Sequence, residues 1–304
     1  MLTTATLVGL LVATAAAFAI TERLKLVKSP IYGTVMTPVF SPATGHFALI
    51  SLKFRHGDHV TLTVLSAGQR VVRTLALGLP VARGRSDFRW DGKTDLGTRA
   101  RDGGYRVQVH LQGQHRTILL PNVIALDSTP PQVLDASPNR LQFSPDGDTR
   151  ADSVTIQYVL SKPAHVLVFL DGRQIIRGRS HQARGGVEWT GRFEQRLLKP
   201  GPVTLSVGAV DLAGNKTPLD ERVQVQVEIR YILLANRHIT GVAARKRFEI
   251  GVSTDAASYR WRLGARHGVA SGPVLRLRAP AKAGRYRLVV TEHGHSDAAT
   301  VVVR

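Results

Sequence analysis

The spacing of apolar residues changes once along this chain. The first twenty residues are apolar or small and carry no charged side chain. After Pro38, apolar and polar residues alternate with a period of two, so that Val60, Leu62 and Val64 share one face. Similar short runs recur to residue 303, separated by glycine and proline turns, and helical periodicity is hardly visible after residue 28. This pattern predicts β-sandwiches or barrels rather than an α/β enzyme fold.

The strands fall into sequence repeats. The tripeptide Phe-Ser-Pro occurs at residues 40–42 and again at 143–145, each time before an alternating strand and a hairpin that ends in a basic stretch. Each unit continues with a tryptophan two residues before a glycine, at Trp90 and at Trp189. A glycine turn and a final strand close each unit. We therefore predict two copies of one sandwich, followed by a third module that shows only the strand pattern.

The predicted fold class is all-β, with three tandem Ig-like β-sandwich domains preceded by one N-terminal hydrophobic helix. A chain of 304 residues is long enough for two or three domains with separate cores. The expected segments are a transmembrane anchor or signal segment at 1–28, a stalk at 29–38, and domains at 39–127, 128–224 and 225–304.

The N-terminal apolar segment has the length of a membrane span. Twenty helical residues extend about 30 Å, close to the thickness of the bilayer hydrocarbon. Residues 17–19 (Ala-Phe-Ala) match the small-x-small pattern of a signal-peptidase site, so secretion after cleavage is the alternative to a retained anchor. We expect a cell-membrane protein with extracytoplasmic C-terminal domains. The charges at Arg23, Lys25 and Lys28 disagree with this orientation, because the positive-inside rule would place the C-terminal bulk in the cytoplasm.

Residues 88–105 resemble a known domain family. Their aromatic and turn residues resemble the F-x-W-D-G…G…D-G-x-Y signature of the FlgD-type Ig-like domain, which is named for the flagellar hook-capping protein and is widespread in bacterial surface and secreted proteins. The second unit is similar at residues 143–148, 189–191 and 210–215, although Thr190 replaces the aspartate. The resemblance implies structural or adhesive modules without catalytic activity or a cofactor.

The residues of this signature are interpreted as scaffold. Strand alternation points Phe88 and Trp90 inward, where their rings can fill the space between two sheets. Asp91 and Gly92 form a turn, because Asp binds nearby backbone amides and Gly accepts a positive φ. A binding loop is the alternative for the same stretch. The residues expected to be structural are Phe88, Trp90, Asp91, Gly92, Gly103, Tyr105, Trp189 and Gly191.

An acidic loop is the best metal candidate in the sequence. Asp146, Asp148 and Asp152 lie within seven residues and could begin a calcium cage. The order of an EF-hand fails, since Arg150 stands at the third ligand position, and an Asx-rich loop is the alternative interpretation. The histidines of 56–59 and 293–295 have no evident third ligand nearby and are expected in exposed turns rather than around zinc.

The net charge attracts anionic partners, and an arginine-rich genome is the alternative explanation of the same excess. Lys and Arg number 41 against 22 Asp and Glu, which gives a net charge of +19, and the chain contains no cysteine for disulfides or thiolate chemistry. Pairs of arginines at i, i+2 occur on three strands of the last module and predict a basic sheet face, if those strands are neighbours. A solvated outer face is the alternative. The arginines are Arg260, Arg262, Arg276, Arg278, Arg285 and Arg287.

These observations predict a non-enzymatic, membrane-tethered extracytoplasmic protein that serves a structural or adhesive role or binds a partner. The partner would be an anionic cell-envelope polymer or another surface protein. No nucleic acid is expected, because no aromatic stacking platform accompanies the charge. The alternative function is binding of a cell-wall polymer or carbohydrate through the arginine face. No nucleophile elbow, P-loop or dinucleotide fingerprint supports an enzyme.

Overall fold

The computed structural model describes Thr6, residues 9–16, Phe18 and residues 28–304, with residues 9–16 in a helix. Ala17 and Ala19 of the predicted cleavage site, and most of the predicted segment 1–28, lie outside the described residues. Within the part of the chain that is described, no helix is both long and apolar enough to cross a bilayer. From Ile31 onward the chain is built of β-strands, and the all-β Ig-like prediction is confirmed.

Among the described residues, twenty-six strands form three modules. The first module contains β1 (Ile31–Met36), β2 (Val39–Phe40), β3 (Ala48–Phe54), β4 (Asp58–Ser66), β5 (Val71–Val81), β6 (Gly84–Trp90), β7 (Gly103–Leu111) and β8 (Arg116–Leu126). The second contains β9 (Val133–Pro138), β10 (Gln142–Phe143), β11 (Val154–Leu160), β12 (His165–Leu170), β13 (Arg173–Arg177), β14 (Arg184–Trp189), β15 (Arg192–Phe193), β16 (Arg196–Leu197), β17 (Gly201–Val210) and β18 (Val223–Ile229). The third contains β19 (Leu233–Leu234), β20 (His238–Val242), β21 (Arg247–Ser253), β22 (Tyr259–Leu263), β23 (Arg266–Ala270), β24 (Val274–Arg278), β25 (Gly284–Glu292) and β26 (His295–Val303). Two short 3-10 helices lie at Pro42–Thr44 and Leu219–Glu221.

All three modules share one sheet topology. Each has a three-stranded antiparallel sheet, with the orders β1-β3-β6, β14-β11-β9 and β19-β21-β24. Each also has a five-stranded sheet, with the orders β2-β8-β7-β4-β5, β10-β18-β17-β12-β13 and β20-β26-β25-β22-β23. In every case the second strand of the module pairs in parallel with its last strand. The third module is therefore a structural repeat of the first two.

Each module has its own hydrophobic core between its two sheets. The alternation of the sequence produces this arrangement, because every second side chain of a strand faces the opposing sheet. In β4, for example, Val60, Leu62 and Val64 are fully buried. The chain divides into two compact units, Met1–Thr129 with the first module and Pro130–Arg304 with the second and third.

The tryptophan of the first module lies at the centre of its core. Trp90 is fully buried, and its ring meets Phe40 and Tyr105 edge to face at centroid distances of 5.4 Å and 4.8 Å. Its indole Nε1 donates a hydrogen bond to the Lys93 carbonyl at 2.9 Å. Trp90 has therefore used both its ring and its polar atom within the module.

Trp189 has the corresponding environment in the second module. It is 3% exposed, packs on Phe143 at 5.6 Å and donates from Nε1 to the Arg192 carbonyl at 3.0 Å. In both modules the phenylalanine of the Phe-Ser-Pro motif contacts the tryptophan. The two sequence motifs recur together because they pack on each other.

The proline of the same motif explains the glycine that follows each tryptophan. A Cβ atom placed on Gly92 would lie 2.3 Å from Pro42 Cγ, and one on Gly191 would lie 2.9 Å from Pro145 Cγ. Gly92 also has a φ of +76°, which L side chains rarely adopt. The turn after the tryptophan thus requires glycine both for its backbone conformation and for the close approach of the proline ring.

Replacing Gly92 with alanine should cost about 2–5 kcal/mol of unfolding free energy, since a left-handed alanine costs about 1–2 kcal/mol and overpacking adds about 1–3 kcal/mol. Gly97 provides a matched control. Its φ is +77°, but the space beside it is open. Gly97→Ala should therefore show only the backbone cost, and denaturant unfolding of both variants measures the difference. Equal losses in the two variants would contradict the packing of Pro42 on Gly92.

The third module retains one more feature of the first. Tyr105 Oη donates to the carbonyl of Arg101 at 2.5 Å, and Tyr286 Oη donates to the carbonyl of Lys282 at 2.9 Å, so both tyrosines reach back four residues. Both lie near the start of the long strand that pairs with the last strand of the module. The Gly-x-Tyr spacing at 284–286 is the sequence signal that relates this module to the first.

Candidate functional site

Carboxylates from two modules meet in the unit Pro130–Arg304. Asp146 and Asp148 lie in the loop between β10 and β11 of the second module, and Glu292 and His293 lie at the turn between β25 and β26 of the third. One oxygen or nitrogen atom from each of these four residues lies within 4.8 Å of all the others. We call this set the junction cluster.

Two of the three carboxylates of the junction cluster are deeply buried, and the third, Asp148, is partly buried. The side chains of Asp146 and Glu292 are 1% and 2% exposed, whereas that of His293 is half exposed. The His293 Nδ1 atom lies 3.3 Å from Glu292 Oε1 and 3.7 Å from Asp146 Oδ2. The Thr254 hydroxyl donates to Glu292 Oε2. The cluster thus holds three carboxylates and one imidazole.

A further carboxylate lies close to the cluster. Neither oxygen of Asp255 is accessible to solvent, and Asp146 Oδ2 is also inaccessible and accepts no hydrogen bond among the described residues. Asp255 also lines a cavity of about 180 Å³ with Ser144, Tyr231 and Thr254. The two modules therefore enclose an acidic and incompletely hydrogen-bonded region.

The electrostatics of the region follow from this arrangement. Burial raises the pKa of the Glu292 carboxyl, and the neighbouring Asp146 carboxylate raises it further, against a lowering by the Thr254 hydroxyl. Burial likewise raises the pKa of Asp255, with added repulsion from Asp146 and Asp148. The hydrogen bond to Glu292 raises the pKa of His293. The carboxylates thus destabilise one another when they are ionised.

The third aspartate of the predicted calcium loop has another role. Both carboxylate oxygens of Asp152 accept hydrogen bonds from backbone amides of its own loop, at 2.7 Å from Gly147 N and 2.8 Å from Thr149 N. Asp152 is absent from the junction cluster. Of the three predicted residues, only Asp146 and Asp148 belong to the cluster. Its other two members, Glu292 and His293, lie more than 140 positions later in the sequence.

The two histidines at 293 and 295 have different environments. His293 belongs to the junction cluster, while the His295 ring stacks on Tyr231 at 3.5 Å with an interplanar angle of 5°. His293 is exposed in the turn between β25 and β26, as expected, and it lies beside Glu292 of its own module and beside Asp146 and Asp148 of the second module. His56 and His59 are exposed and belong to no such cluster in the described part of the chain.

The six predicted arginines do not share one face. Arg260 and Arg262 on β22 and Arg285 and Arg287 on β25 are exposed on the outer side of the five-stranded sheet. β22 and β25 are neighbours, with Arg262 opposite Val289. We call these four residues the arginine face. No ion pair to a carboxylate is seen for any of them among the described residues.

The prediction of a single arginine face was wrong for Arg276 and Arg278. They lie on β24, which belongs to the other sheet of the module. Arg276 Nε forms an ion pair with Glu249 Oε1 at 2.7 Å, and Arg278 lies opposite Arg247 of β21. Strand alternation gave the correct side of each strand but not the sheet to which the strand belongs.

Comparison with known families identifies part of the first module. Residues 52–114 match the FlgD Ig-like domain. The resemblance noted at residues 88–105 is thus confirmed, and the matched range runs from β3 into the β7–β8 hairpin. It includes Trp90, Gly92 and Tyr105, which are the packing and turn residues of the core.

Some solved structures are distantly similar to two thirds or more of the chain. Fibronectin(III)-like modules of CbhA from Clostridium thermocellum are 16% identical with a TM-score of 0.34, and the alignment covers 66% of this chain and 93% of that one. An I-band fragment of titin is 12% identical with a TM-score of 0.32, over 91% of this chain and 99% of that one. A comparison with curated protein sequences gave no match. The fold assignment rests on the strands, sheets and cores described above.

Proposed function

We propose that this protein is a non-enzymatic, extracytoplasmic protein that carries three Ig-like modules on a membrane tether and binds a partner there. The observation that carries the proposal is the threefold repetition of one sandwich topology, in which the signature residues are used for packing. The match of residues 52–114 to the FlgD Ig-like domain and the uncharged apolar N-terminal segment support it.

The location can be tested with a C-terminal epitope tag. Protease added to intact spheroplasts should remove the tag from membrane-associated protein, and N-terminal sequencing of the mature chain should distinguish a retained anchor from a cleaved signal at 17–19. A tag that stays protected until the membrane is lysed would contradict an extracytoplasmic location. A cytoplasmic enzyme serves as the control for intact membranes.

We propose an anionic polymer of the cell envelope as the partner, bound through the arginine face. The guanidinium groups of Arg260, Arg262, Arg285 and Arg287 are exposed on adjacent strands, and arginine binds phosphate oxygens in a forked geometry. Stacking on sugar rings is not favoured, because Trp90 and Trp189 are buried and Trp261 lies partly buried against the third core. The interaction is therefore expected to be electrostatic.

The double variant Arg262→Gln/Arg287→Gln should bind purified anionic wall polymer about tenfold more weakly, since each exposed charged contact contributes about 0.5–1 kcal/mol. Its matched control is Arg247→Gln/Arg278→Gln, which removes the same charge from two cross-strand neighbours on the opposite sheet. Co-sedimentation at low and high salt measures both. An equal loss of affinity in the two variants would indicate that binding depends on net charge alone. An affinity that does not change with salt concentration would contradict the arginine face as the contact surface.

A further inference from the structure

We propose that the junction cluster binds a calcium ion, held by the carboxylates of Asp146, Asp148 and Glu292, which links the second module to the third. This site does not depend on the proposed function, since it lies at the junction of two modules and not on the arginine face.

The geometry of the cluster fits a calcium ion. Calcium takes oxygen ligands at about 2.3–2.6 Å, so two oxygens bound to one ion lie within about 5 Å of each other. The ligand atoms of the junction cluster all lie within 4.8 Å of one another. Three carboxylates can therefore face one ion without a change of backbone.

The burial of the cluster calls for a counter-charge. The Asp146 side chain is 1% exposed, and its Oδ2 atom is turned into the cluster without a hydrogen-bond partner among the described residues. Both oxygens of the nearby Asp255 are also inaccessible to solvent. Burying a carboxylate is costly unless it is paired or coordinates a metal. His293 supplies at most one positive charge from a half-exposed ring, against three carboxylates in the cluster.

The donor set favours calcium over zinc. Carboxylate oxygens are hard ligands that suit calcium, whereas zinc sites are rich in imidazole and thiolate. The only nitrogen donor of the cluster is His293, and the chain contains no cysteine. Magnesium demands a nearly ideal octahedron at about 2.0–2.1 Å, which is a poorer match to this spacing.

The first module lacks the corresponding carboxylates. Residues 40–45 read Phe-Ser-Pro-Ala-Thr-Gly, whereas residues 143–148 read Phe-Ser-Pro-Asp-Gly-Asp. Ala43 and Gly45 thus stand where the second module has Asp146 and Asp148. The packing role of Phe-Ser-Pro is common to both modules, so the two carboxylates are an addition that packing does not require.

The ion would link the two modules by binding ligands from each of them. The β10–β11 loop and the β25–β26 turn contribute ligands from opposite sides of the junction, and an ion between them would convert repulsion among carboxylates into attraction. Binding should therefore stabilise the contact between the two modules as well as the modules themselves.

The test uses the purified full-length protein after dialysis against a chelator. Isothermal titration with CaCl2 should show one site per chain, and Asp146→Asn and Asp148→Asn should each weaken binding at least about tenfold. Asp171→Asn is the matched control, since Asp171 is an exposed turn residue of the same module and has a φ of +49°, which asparagine tolerates. It should bind calcium like the native chain.

The unfolding free energies of the variants, measured in chelator and in calcium, distinguish loss of calcium binding from a structural defect. Because the asparagine variants remove repulsion, they should be at least as stable as the native protein in chelator but should gain little from calcium. A variant that is less stable in chelator and gains as much from calcium as the native chain would overturn the proposal, as would the absence of calcium binding to the native chain. Zinc binding that is lost in His293→Asn, without calcium binding, would also overturn it.

Discussion

Replacing Trp90 with alanine should lower the free energy of unfolding of the first module by about 3–5 kcal/mol. The side chain is fully buried between Phe40 and Tyr105, so its removal leaves a cavity and breaks two aromatic contacts. It also removes the donor to the Lys93 carbonyl. Since a domain is typically stable by about 5–15 kcal/mol, a loss of this size would populate the unfolded module substantially.

Hydrogen exchange on peptides from β3 and β7 measures the effect in the first module alone, because exchange resolves the opening of separate regions. Leu96→Ala is the control from the same loop region, as Leu96 is 90% exposed and should change stability by less than about 0.5 kcal/mol. If Trp90→Ala altered partner binding but left exchange like that of Leu96→Ala, the residue would belong to a binding loop and not to the core.

Replacing Asp211 with alanine should destabilise the second module by about 3 kcal/mol. Asp211 is buried, and its Oδ2 accepts hydrogen bonds from Lys162 Nζ at 2.7 Å and from Asn215 Nδ2 at 2.9 Å, while Oδ1 accepts from Asn215 N. Breaking a buried ion pair costs about 3–5 kcal/mol, and we expect the lower end because the Lys162 side chain is 23% exposed.

The matched control for this variant is Asp220→Ala. Asp220 is exposed in the same module and carries the same charge, so its removal should cost less than about 0.5 kcal/mol. Hydrogen exchange of peptides from β17 and β18 measures both variants. Equal exchange in the two would show that the closing turn of the second module does not depend on the Asp211 carboxylate.

The turn that Asp211 organises is also held against the start of the second module. Thr217, two residues after Asn215, donates from its hydroxyl to the Pro131 carbonyl at 2.7 Å. The motif at 211–215 is thereby held close to the start of the module. The segment between β17 and β18 is thus tied to the segment that precedes β9.

Local pattern in the sequence was sufficient for much of the fold. Alternation places Phe88 and Trp90 on the inner face of their strand, and the repeated motifs predict that the first two modules share a fold. The kinship of the third module is weaker in sequence, because it keeps the Gly-x-Tyr spacing at 284–286 but not the tryptophan motif. Its topology became evident only from the pairing of β20 with β26.

The candidate sites depend on contacts that sequence spacing does not encode. Asp146 and Glu292 lie in different modules, so no local motif relates them. Arg276 and Arg287 have the same i, i+2 pattern, but their strands belong to different sheets. Alternation specifies the face of a strand, whereas sheet membership is decided by long-range strand pairing.

The central claim is that the signature residues belong to the hydrophobic cores and do not contact a ligand. Fluorescence of Trp90 and Trp189 tests this claim most directly. In a full-length Trp261→Phe variant only Trp90 and Trp189 emit, and both are nearly inaccessible to solvent. We predict blue-shifted emission and weak quenching by acrylamide in the native protein, with both properties lost on unfolding. Red-shifted emission with strong quenching in the native state would contradict the account.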